Sequence, residues 1–534
     1  MARNRVENAN SIKRIGVTTT FDQFDYTNWL LLILAKAGVE DVIISPGSRN
    51  APLLIALTKH FPNFRLHSVV DERSAGFKAI GIADITMKPV ALICTSGTAA
   101  ANYLPAVCEA WFRSVPLVLI TADRPVHLTT AREGQTIFQH HLYGRHADAF
   151  WYLSESLSAT SLIENLRNIY LNILHQRRPI HINIHYEEPL YRCKDLVELP
   201  FTLPEPERAK VWNEPIDLSG FGKIMVVAGQ CRPGYISEGT QKLLSEKGFL
   251  VVSGGLSNLH PDYAIYHVNE FDYSGLPHPD LVITVGGEIT HKNFKNFLRS
   301  LPSLTHWHVE DIPYPPDTFG KGVRLITTDA SQFLDKLADL PLKLDHSFSQ
   351  TWYATDRFFT DSYLKKDEIK TYYAPIAIAA QQLNAKVVIG NSAVIRQFFK
   401  LPGIWQQNVF GNRGTAGIDG SLSTAVGMAM ATDAPVWCLL GDLSFFYDAN
   451  ALWQKPLPKN LTVFVFNNKR GKIFEMISGP GDFPEIYNLQ TTPHSFTCSN
   501  FAKHYSMKYI HWNGEDDRFF ETDLSNTIVE ISLM

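Results

Sequence analysis

The sequence lacks the features that mark secreted, membrane and nucleic-acid-binding proteins. Its six cysteines form no CxxC pair and lie mostly in apolar segments, which indicates reduced thiols rather than zinc ligands or disulfides. A formal net charge of −4 provides no general attraction to nucleic acid or to an anionic membrane. The apolar stretch Trp29 to Ala35 is too short to span a bilayer, and Met1 to Gly16 contains no apolar core of a signal peptide. We therefore expect a cytoplasmic protein with no nucleic-acid partner and no membrane span.

The length and the pattern of apolar residues predict the domain organisation. A chain of 534 residues is too long for one hydrophobic core, and its 45% hydrophobic content is ordinary for a globular enzyme. Short apolar strands alternate with helices, which is typical of α/β proteins with doubly wound parallel sheets. The charged, proline-containing stretch Pro200 to Pro215 has the composition of a linker. We predict three doubly wound parallel-sheet domains, at residues 1–200, 201–345 and 346–534, of which the first and third are similar modules.

The most informative pattern lies in the last third of the chain. The apolar strand before Gly441 ends in Asp442, and the apolar strand that starts at Leu461 ends in Asn467 and Asn468. We predict a helix between them, with Ser444 as its N-cap. Such a crossover makes the strands parallel, so Asp442 and Asn468 meet at the carboxyl edge of one sheet beside a helix N-terminus. Their oxygens suit a Mg²⁺ ion that also holds a diphosphate, although two ordinary turns are the alternative interpretation.

This spacing resembles the metal–diphosphate motif of thiamine diphosphate enzymes, in which Gly-Asp is followed at a set spacing by Asn-Asn. Such enzymes also need a carboxylate that faces N1′ of the cofactor's pyrimidine. Glu72 is a candidate, because it follows the strand that starts at Arg65 and opens the next helix. A carboxylate placed only to stabilise that helix is the alternative. The two similar modules match a cofactor whose pyrimidine and diphosphate are bound by different domains.

Several further motifs make the resemblance more specific. In order along the chain, they are Ile44 to Asn50, Asp71 to Phe77, Thr95 to Ala99, Thr121 to Pro125, Asn412 to Gly420 and Gly441 to Ser444. With these motifs the chain resembles the 2-succinyl-5-enolpyruvyl-6-hydroxy-3-cyclohexene-1-carboxylate synthase (MenD) family over nearly its whole length. The resemblance implies a transferase of the thiamine diphosphate-binding fold that uses Mg²⁺, with Mn²⁺ as an alternative ion. It also implies decarboxylation of 2-oxoglutarate, addition of the resulting succinyl carbanion to isochorismate in menaquinone biosynthesis, and a homodimer or homotetramer.

The resemblance also implies the roles of individual residues. Glu72 is the catalytic carboxylate, and the cofactor contacts are Glu72, Ile418, Gly441, Asp442, Leu443, Ser444 and Asn468. The metal ligands are Asp442, Asn468 and the backbone carbonyl of Arg470. The substrate contacts are Ser48, Arg49, Arg124, Gln135, Lys292, Ser392, Arg396, Arg413, Ile473 and Phe474. Both substrates are dicarboxylates, and an arginine fork matches a carboxylate bidentately, so fixed arginines suit this chemistry in an acidic protein.

Two positions depart from the family pattern. Arg470 stands where the family has glycine in its Asn-Asn-x-Gly-Gly run, which affects the shape of that loop because arginine adopts positive φ less easily. The Ser-Lys-Arg element of the middle domain reads His291-Lys292-Asn293 here, and Lys295 is a candidate replacement for the lost cation.

Other interpretations are open from the sequence. The chain could be a different thiamine diphosphate enzyme, such as an acetolactate synthase-like carboligase or a simple 2-oxo acid decarboxylase, but a simple decarboxylase has no need for four arginines around its cleft. It could also be a catalytically inactive scaffold of the same fold, although Glu72, Asp442 and Asn468 are all present. His140, His141 and His146 lack metal-ligand spacing and are interpreted as structural, and Cys94 is given no role.

Overall fold

We analysed a computed structural model, which describes residues 21–175, 177–205, 212–363, 365–366, 369–401, 408–453, 455–477 and 479–533. The expectation for Met1 to Gly16 lies outside these residues, and the predicted linker Pro200 to Pro215 lies partly outside them. Among the helices of the described segments, none is long and apolar enough to cross a membrane.

The first unit is built around a sheet of six strands in the order β2-β1-β3-β4-β6-β5, all parallel. Helices pack on both faces of the sheet and bury two separate apolar cores. The elements are α1 (Gln23–Lys36), β1 (Asp41–Ile44), α2 (Ala51–His60), β2 (Arg65–Ser68), α3 (Glu72–Thr86), β3 (Val90–Cys94), α4 (Thr98–Asn102), α5 (Leu104–Phe112), β4 (Leu117–Asp123), β5 (Ala149–Leu153), α6 (Ala159–His175) and β6 (Ile180–His185).

The second unit contains a five-stranded parallel sheet in the order β11-β10-β9-β7-β8. Its elements are β7 (Ile224–Ala228), α7 (Glu238–Glu246), β8 (Leu250–Ser253), β9 (Leu281–Val285), α8 (Lys292–Ser300), β10 (Thr305–Val309), β11 (Val323–Ile326) and α9 (Ala330–Asp339). The long helix α10 (His346–Tyr363) and a π-helical turn (Ile369–Tyr373) lead into the third unit.

The third unit repeats the architecture of the first, with a six-stranded parallel sheet in the order β13-β12-β14-β15-β17-β16. Its elements are α11 (Ala374–Gln382), β12 (Lys386–Ile389), α12 (Ala393–Phe398), β13 (Val409–Phe410), α13 (Ser421–Met430), β14 (Val436–Gly441), α14 (Asp442–Asp448), β15 (Leu461–Asn467), α15 (Ile473–Met476), α16 (Tyr487–Thr491), α17 (Ser499–His504), β16 (Lys508–Trp512) and β17 (Thr527–Ser532). Three parallel-only sheets with interleaved helices confirm the predicted α/β fold class.

The first and third units pack together through α3 and α13. Two glycines allow a close crossing of these helices: a Cβ on Gly81 would collide with the carbonyl oxygen of Thr424, and one on Gly427 would collide with that of Lys78. The first turn of α3 is also held by the third unit, because the hydroxyl of Ser423 donates to that of Ser74 at 2.9 Å. The start of α3, where Glu72 lies, is therefore fixed by contacts outside its own domain.

Candidate active site

Asp442 and Asn468 meet at the carboxyl edge of the third sheet, as the strand pattern predicts. β14 and β15 are neighbours and pair in parallel up to Gly441 and Phe466, so the residues that follow them emerge side by side. One carboxylate oxygen of Asp442, Oδ1, accepts the amide of Leu443 at 2.7 Å, and Oδ2 accepts the amide of Asn468 at 3.0 Å. These backbone bonds fix the orientation of the carboxylate at the edge of the sheet.

The surroundings of Asp442 fit a hard divalent cation. The residue is only 3% exposed, and burial raises the pKa of its carboxyl group, because a charged carboxylate is poorly solvated there. Within the described residues, the only basic group within 4 Å of this carboxylate is His494, at 3.3 Å. The described residues contain no cluster of three His, Cys, Asp or Glu side chains that could hold a metal by itself. A cation here would depend on Asp442, an amide oxygen, a backbone carbonyl and the oxygens of a bound diphosphate.

The loop after Asn468 adopts a shape that Arg470 tolerates. The residue with positive φ is Lys469, at +64°, so Arg470 itself needs no left-handed conformation. Its carbonyl accepts the amide of Lys472 at 2.9 Å and retains a second lone pair for a cation. Its guanidinium Nε donates to the carboxylate of Glu475 at 2.6 Å.

The predicted N-cap role of Ser444 is wrong. Helix α14 begins at Asp442 with Gly441 as its N-cap, so Ser444 lies inside its first turn. The Ser444 hydroxyl instead donates to the carbonyl of Ile418 at 2.5 Å and joins two residues predicted to contact the cofactor. The space beside Gly441 is open, since a Cβ there would meet no atom within 4 Å, which leaves room for a phosphate.

Glu72 is the first residue of α3, immediately after the N-cap Asp71, as predicted. It is half-buried, and burial raises the pKa of its carboxyl group, while the helix amide and Asn102 partly offset this effect. A carboxyl group with a raised pKa holds its proton more readily than an exposed one, which suits a role in proton transfer. Cys94 lies close enough for its pKa to be raised by the charge of Glu72 as well as by burial, so its thiol is not activated.

The four predicted arginines form two pairs. Arg49 is buried, and its pKa is lowered first by burial and then by repulsion from Arg124. The pKa of Arg396 is lowered in the same way, by burial and by Arg413. Two neighbouring cations suit the binding of anionic groups, and each pair also lies beside a carboxylate: Glu188 is 3.4 Å from Arg49, and Glu288 is 2.7 Å from Arg413.

The backbone and side-chain contacts hold each pair in place. The Nη1 of Arg49 donates to the Tyr186 carbonyl at 3.0 Å, and the Nε of Arg124 donates to the Gly134 carbonyl at 2.8 Å. Arg413 donates to Glu288 of the central unit at 2.9 Å.

Of the two lysines considered from the sequence, Lys295 lies nearer the second arginine pair. Its ammonium is 3.8 Å from the Glu288 carboxylate that also binds Arg413, and it is half-buried. Lys292, the predicted substrate contact, is exposed at the start of α8 and forms no hydrogen bond or ion pair with another residue of the described segments. The structure therefore joins Lys295, rather than Lys292, to the arginine cluster.

Backbone strain occurs at two of the predicted polar contacts. Gln135 has φ of +56° and Ser392 has φ of +72°, conformations that non-glycine residues rarely adopt. Such strain concentrates at ligand-binding sites. Gln135 lies over the Thr95-Ser96-Gly97 motif, since a Cβ on Gly97 would approach its carbonyl carbon to 3.1 Å.

The remaining predicted contacts, Ile418, Ser48, Ile473 and Phe474, are exposed or partly exposed. Ile418 is 44% exposed and Ser48 is exposed, so both are accessible to a ligand or a partner. Ile473 and Phe474 are partly exposed in α15, just after the metal-motif loop.

Sequence reasoning missed several residues that organise the site. Asn391 donates to the carbonyls of Asn412 and Gly417 and accepts from Arg413 at 2.7 Å, so it shapes the loop of Arg413 and Ile418. Asn391 and Glu288 both follow strand ends, β12 and β9, so the rule that ligands bind at carboxyl edges could have identified them. The same rule could not have identified two other residues near the site, Glu109 and His494, because neither follows the end of a strand.

Glu109 is a fully buried carboxylate of α5 that holds this loop from another domain. It accepts the amides of Gly414 at 2.9 Å and Thr415 at 2.7 Å, and the Thr415 hydroxyl at 2.8 Å. Glu109→Ala would leave these donors unpaired, so we expect the free energy of unfolding to fall by about 2 kcal/mol or more. Denaturant unfolding tests this, with Glu164→Ala, an exposed glutamate of α6, as the control. A stability loss equal to that of the control would contradict the assigned role of Glu109.

The chain is similar to known thiamine pyrophosphate-binding enzymes. Residues 24–148 match the family model described as the thiamine pyrophosphate enzyme, N-terminal TPP binding domain. A 2-succinyl-5-enolpyruvyl-6-hydroxy-3-cyclohexene-1-carboxylate synthase from Cytophaga hutchinsonii is 34% identical, over 93% of this chain and 94% of that protein. Proteins of the same name are 34% identical in Flavobacterium johnsoniae, over 90% of both chains, and 31% identical in Bacteroides thetaiotaomicron, over 91% of this chain and 90% of that one.

Proposed function

This chain belongs to the 2-succinyl-5-enolpyruvyl-6-hydroxy-3-cyclohexene-1-carboxylate synthase (MenD) family of thiamine diphosphate enzymes, and from that premise we propose how its residues perform the reaction. The chain is an enzyme of menaquinone biosynthesis. It decarboxylates 2-oxoglutarate and adds the resulting four-carbon unit to isochorismate. The observation that carries the residue assignments is the fixed Asp442–Asn468 pair at the carboxyl edge of the third sheet.

We propose that Asp442, Asn468 and the carbonyl of Arg470 hold Mg²⁺, with Mn²⁺ as an alternative, and that the ion holds the diphosphate. The open space at Gly441 and the first turn of α14, with Leu443 and Ser444, would accept the phosphates. Ile418, held through its carbonyl by Ser444, would support the cofactor's shape. When bound, thiamine diphosphate supplies the carbanion chemistry of the reaction.

Glu72 would be the protein group that transfers a proton to and from the cofactor. Its carboxyl group would face N1′ of the pyrimidine, and its burial keeps the proton available for transfer at that nitrogen. The arginine pairs would bind and orient the carboxylates of the two substrates, with Ser48, Gln135 and Ser392 as polar contacts. Ile473 and Phe474 would form the apolar wall that excludes water. The domain limits at 200 and 345 belong to the same proposal and are supported by the strand limits of the three sheets.

We propose that the active site forms between two subunits of a homodimer or homotetramer. Within one chain, Arg73 donates to the carbonyl of Tyr447 at 2.8 Å. The start of α3 therefore faces the last turn of α14, whereas Asp442 lies in the first turn of that helix. Apolar side chains near both halves of the proposed active site are exposed in the single chain, among them Val70 at 53% and Leu489 at 81%. A partner that buried such residues would also bring its own Asp442 to this chain's Glu72.

Mixing variants tests the shared site. Glu72→Gln and Asp442→Ala subunits should each be inactive alone, and a mixture should regain activity because each mixed dimer keeps one intact site. Each variant incubated with itself under the same exchange conditions is the control. If subunit exchange is verified and no activity returns, the site lies within one chain.

We also propose that the enzyme acts in the cytoplasm. All six cysteines are free thiols, which fits a reducing compartment.

The arginine pairs should distinguish between the substrates. Arg124→Ala removes a charge-assisted contact worth roughly 1.5–3 kcal/mol, or about 10–150-fold in binding. We expect it to raise the KM for one dicarboxylate far more than for the other, and we expect Arg413→Ala to affect the substrates in the opposite order. Lys292→Ala, compared with Lys295→Ala, shows which lysine takes part.

Two assays separate the steps of the reaction. Decarboxylation of 2-oxoglutarate alone is followed with an artificial electron acceptor, and adduct formation is followed with isochorismate present. Lys242→Ala, which removes an exposed cation of α7, should change neither assay. Equal losses in both steps for every arginine variant would show that these residues support the fold rather than the substrates. Similar rates with other 2-oxo acids would favour an acetolactate synthase-like enzyme instead.

A further inference from the structure

His494, which belongs to none of the sequence motifs, lies against Asp442, the proposed metal ligand. His494 follows α16, and its amide donates to the carbonyl of Lys469 at 2.9 Å, which ties it to the loop after Asn468. Its side chain is only 7% exposed, and Nε2 is 3.3 Å from Oδ2 of Asp442. This nitrogen is buried and has no hydrogen-bond partner among the described residues.

The other ring nitrogen determines where the proton lies. Nδ1 of His494 accepts the amide of Phe496 at 3.2 Å, so it carries a lone pair, and the hydrogen of the neutral ring lies on Nε2. Two aromatic rings pack against the imidazole. Phe446 meets it edge-on at 5.3 Å, and Phe496 stacks on it at 5.6 Å. His494 therefore carries its N–H group on Nε2, 3.3 Å from Oδ2 of Asp442, where it makes no hydrogen bond with the described residues.

The tautomer distinguishes between two roles for His494, that of a metal ligand and that of a hydrogen-bond donor to a metal ligand. A histidine that ligates a metal must offer a lone pair, and Nε2 does not offer one while Phe496 occupies Nδ1. A donor to the ligating carboxylate needs the N–H group that is present. Groups that bond to metal ligands fix their orientation and typically contribute about 10–100-fold to metal affinity.

We propose that His494 is a positioning residue whose Nε2–H, which has no partner among the described residues, donates to Oδ2 of Asp442 once the cation is bound, and thereby sets the affinity for the divalent cation and, through it, for thiamine diphosphate. The proposal rests on the proposed metal-binding role of Asp442. The amides of Leu443 and Asn468 hold the same carboxylate from the backbone, which no side-chain substitution removes. His494 would add a side-chain donor to these two backbone donors.

Two substitutions separate the donor from the ring. His494→Phe keeps the aromatic packing between Phe446 and Phe496 but removes the donor. His494→Gln removes the ring but can place an amide N–H near the position of Nε2. Mg²⁺ is titrated into each protein at fixed thiamine diphosphate, and binding is followed by tryptophan fluorescence or calorimetry, without turnover. Asp442→Ala is titrated in parallel, and His494→Leu replaces the phenylalanine variant if that protein fails to fold.

We expect His494→Phe to bind Mg²⁺ about 10–100-fold more weakly than wild type, and His494→Gln to recover most of the loss. Saturating Mg²⁺ should restore cofactor binding in both. Wild-type Mg²⁺ affinity in His494→Phe or His494→Leu would overturn the inference, and so would an equal loss in the glutamine and phenylalanine variants, which would assign the effect to the ring. Unchanged binding by Asp442→Ala would instead refute the proposed metal site itself.

Discussion

Glu72→Gln is expected to bind thiamine diphosphate with nearly wild-type affinity and to lose at least about 100-fold in turnover, the typical contribution of a general acid–base group. The amide has nearly the same shape as the carboxyl group but cannot exchange a proton with N1′. Glu72 begins α3, and contacts from the third unit hold that first turn, so the substitution should not displace the helix. The measurement is exchange of the C2 proton of the bound cofactor, followed by NMR after rapid quenching.

The neighbouring carboxylate provides a matched control. Asp71→Asn removes the same charge one residue earlier and keeps an N-cap side chain for the amide of Ser74, so it should retain most activity. Exchange in Glu72→Gln at the wild-type rate would show that another group activates the cofactor. Equal losses in both variants would indicate that the charge near α3 matters, rather than the proton on Glu72.

Asp442→Ala is expected to fail earlier, at cofactor binding. Because the loss of groups that only orient metal ligands costs about 10–100-fold, the loss of a ligand should weaken thiamine diphosphate binding by more than about 100-fold. The substitution also leaves the amides of Leu443 and Asn468 without their acceptor. Titration of thiamine diphosphate at several Mg²⁺ concentrations measures the effect.

Asp433→Ala is the control for Asp442→Ala, because this aspartate is exposed and lies in the turn before β14. It should bind both Mg²⁺ and the cofactor normally. If Asp442→Ala keeps wild-type affinity at saturating Mg²⁺, the ion is bound elsewhere. If the control loses affinity as well, the effect comes from the strand and not from a ligand.

The sequence was sufficient for the features that depend on strand order. Parallel pairing of β14 and β15 follows from the short crossover between them, and it brings Asp442 beside Asn468. Glu72 at the start of α3 follows from the strand that precedes it. In both cases the local pattern and the sheet topology point to the same position.

Local patterns were less reliable where tertiary contacts decide the outcome. Ser444 has the residue type of an N-cap, but α14 starts two residues earlier and the hydroxyl bonds to the carbonyl of Ile418. The edge strand β16 was not predicted, because residues such as Lys508 and His511 give it a polar character. Its pairing with β17 provides what the sequence pattern does not.

Contacts between domains could not be predicted from one sequence. Glu109 and Thr415 are separated by 306 residues and meet where the first unit packs on the third. Glu288 of the second unit binds Arg413 of the third across 125 residues. The sequence therefore indicated that the arginines serve dicarboxylates but not how they are paired or which acids hold them.

The most direct test of the central claim is mass detection of the product made by purified protein with thiamine diphosphate, Mg²⁺, 2-oxoglutarate and isochorismate. The account predicts an adduct with the mass of both substrates less one CO₂, formed by the wild type and nearly absent with Glu72→Gln. Release of CO₂ from 2-oxoglutarate without any adduct, or equal adduct formation by Glu72→Gln, would contradict it.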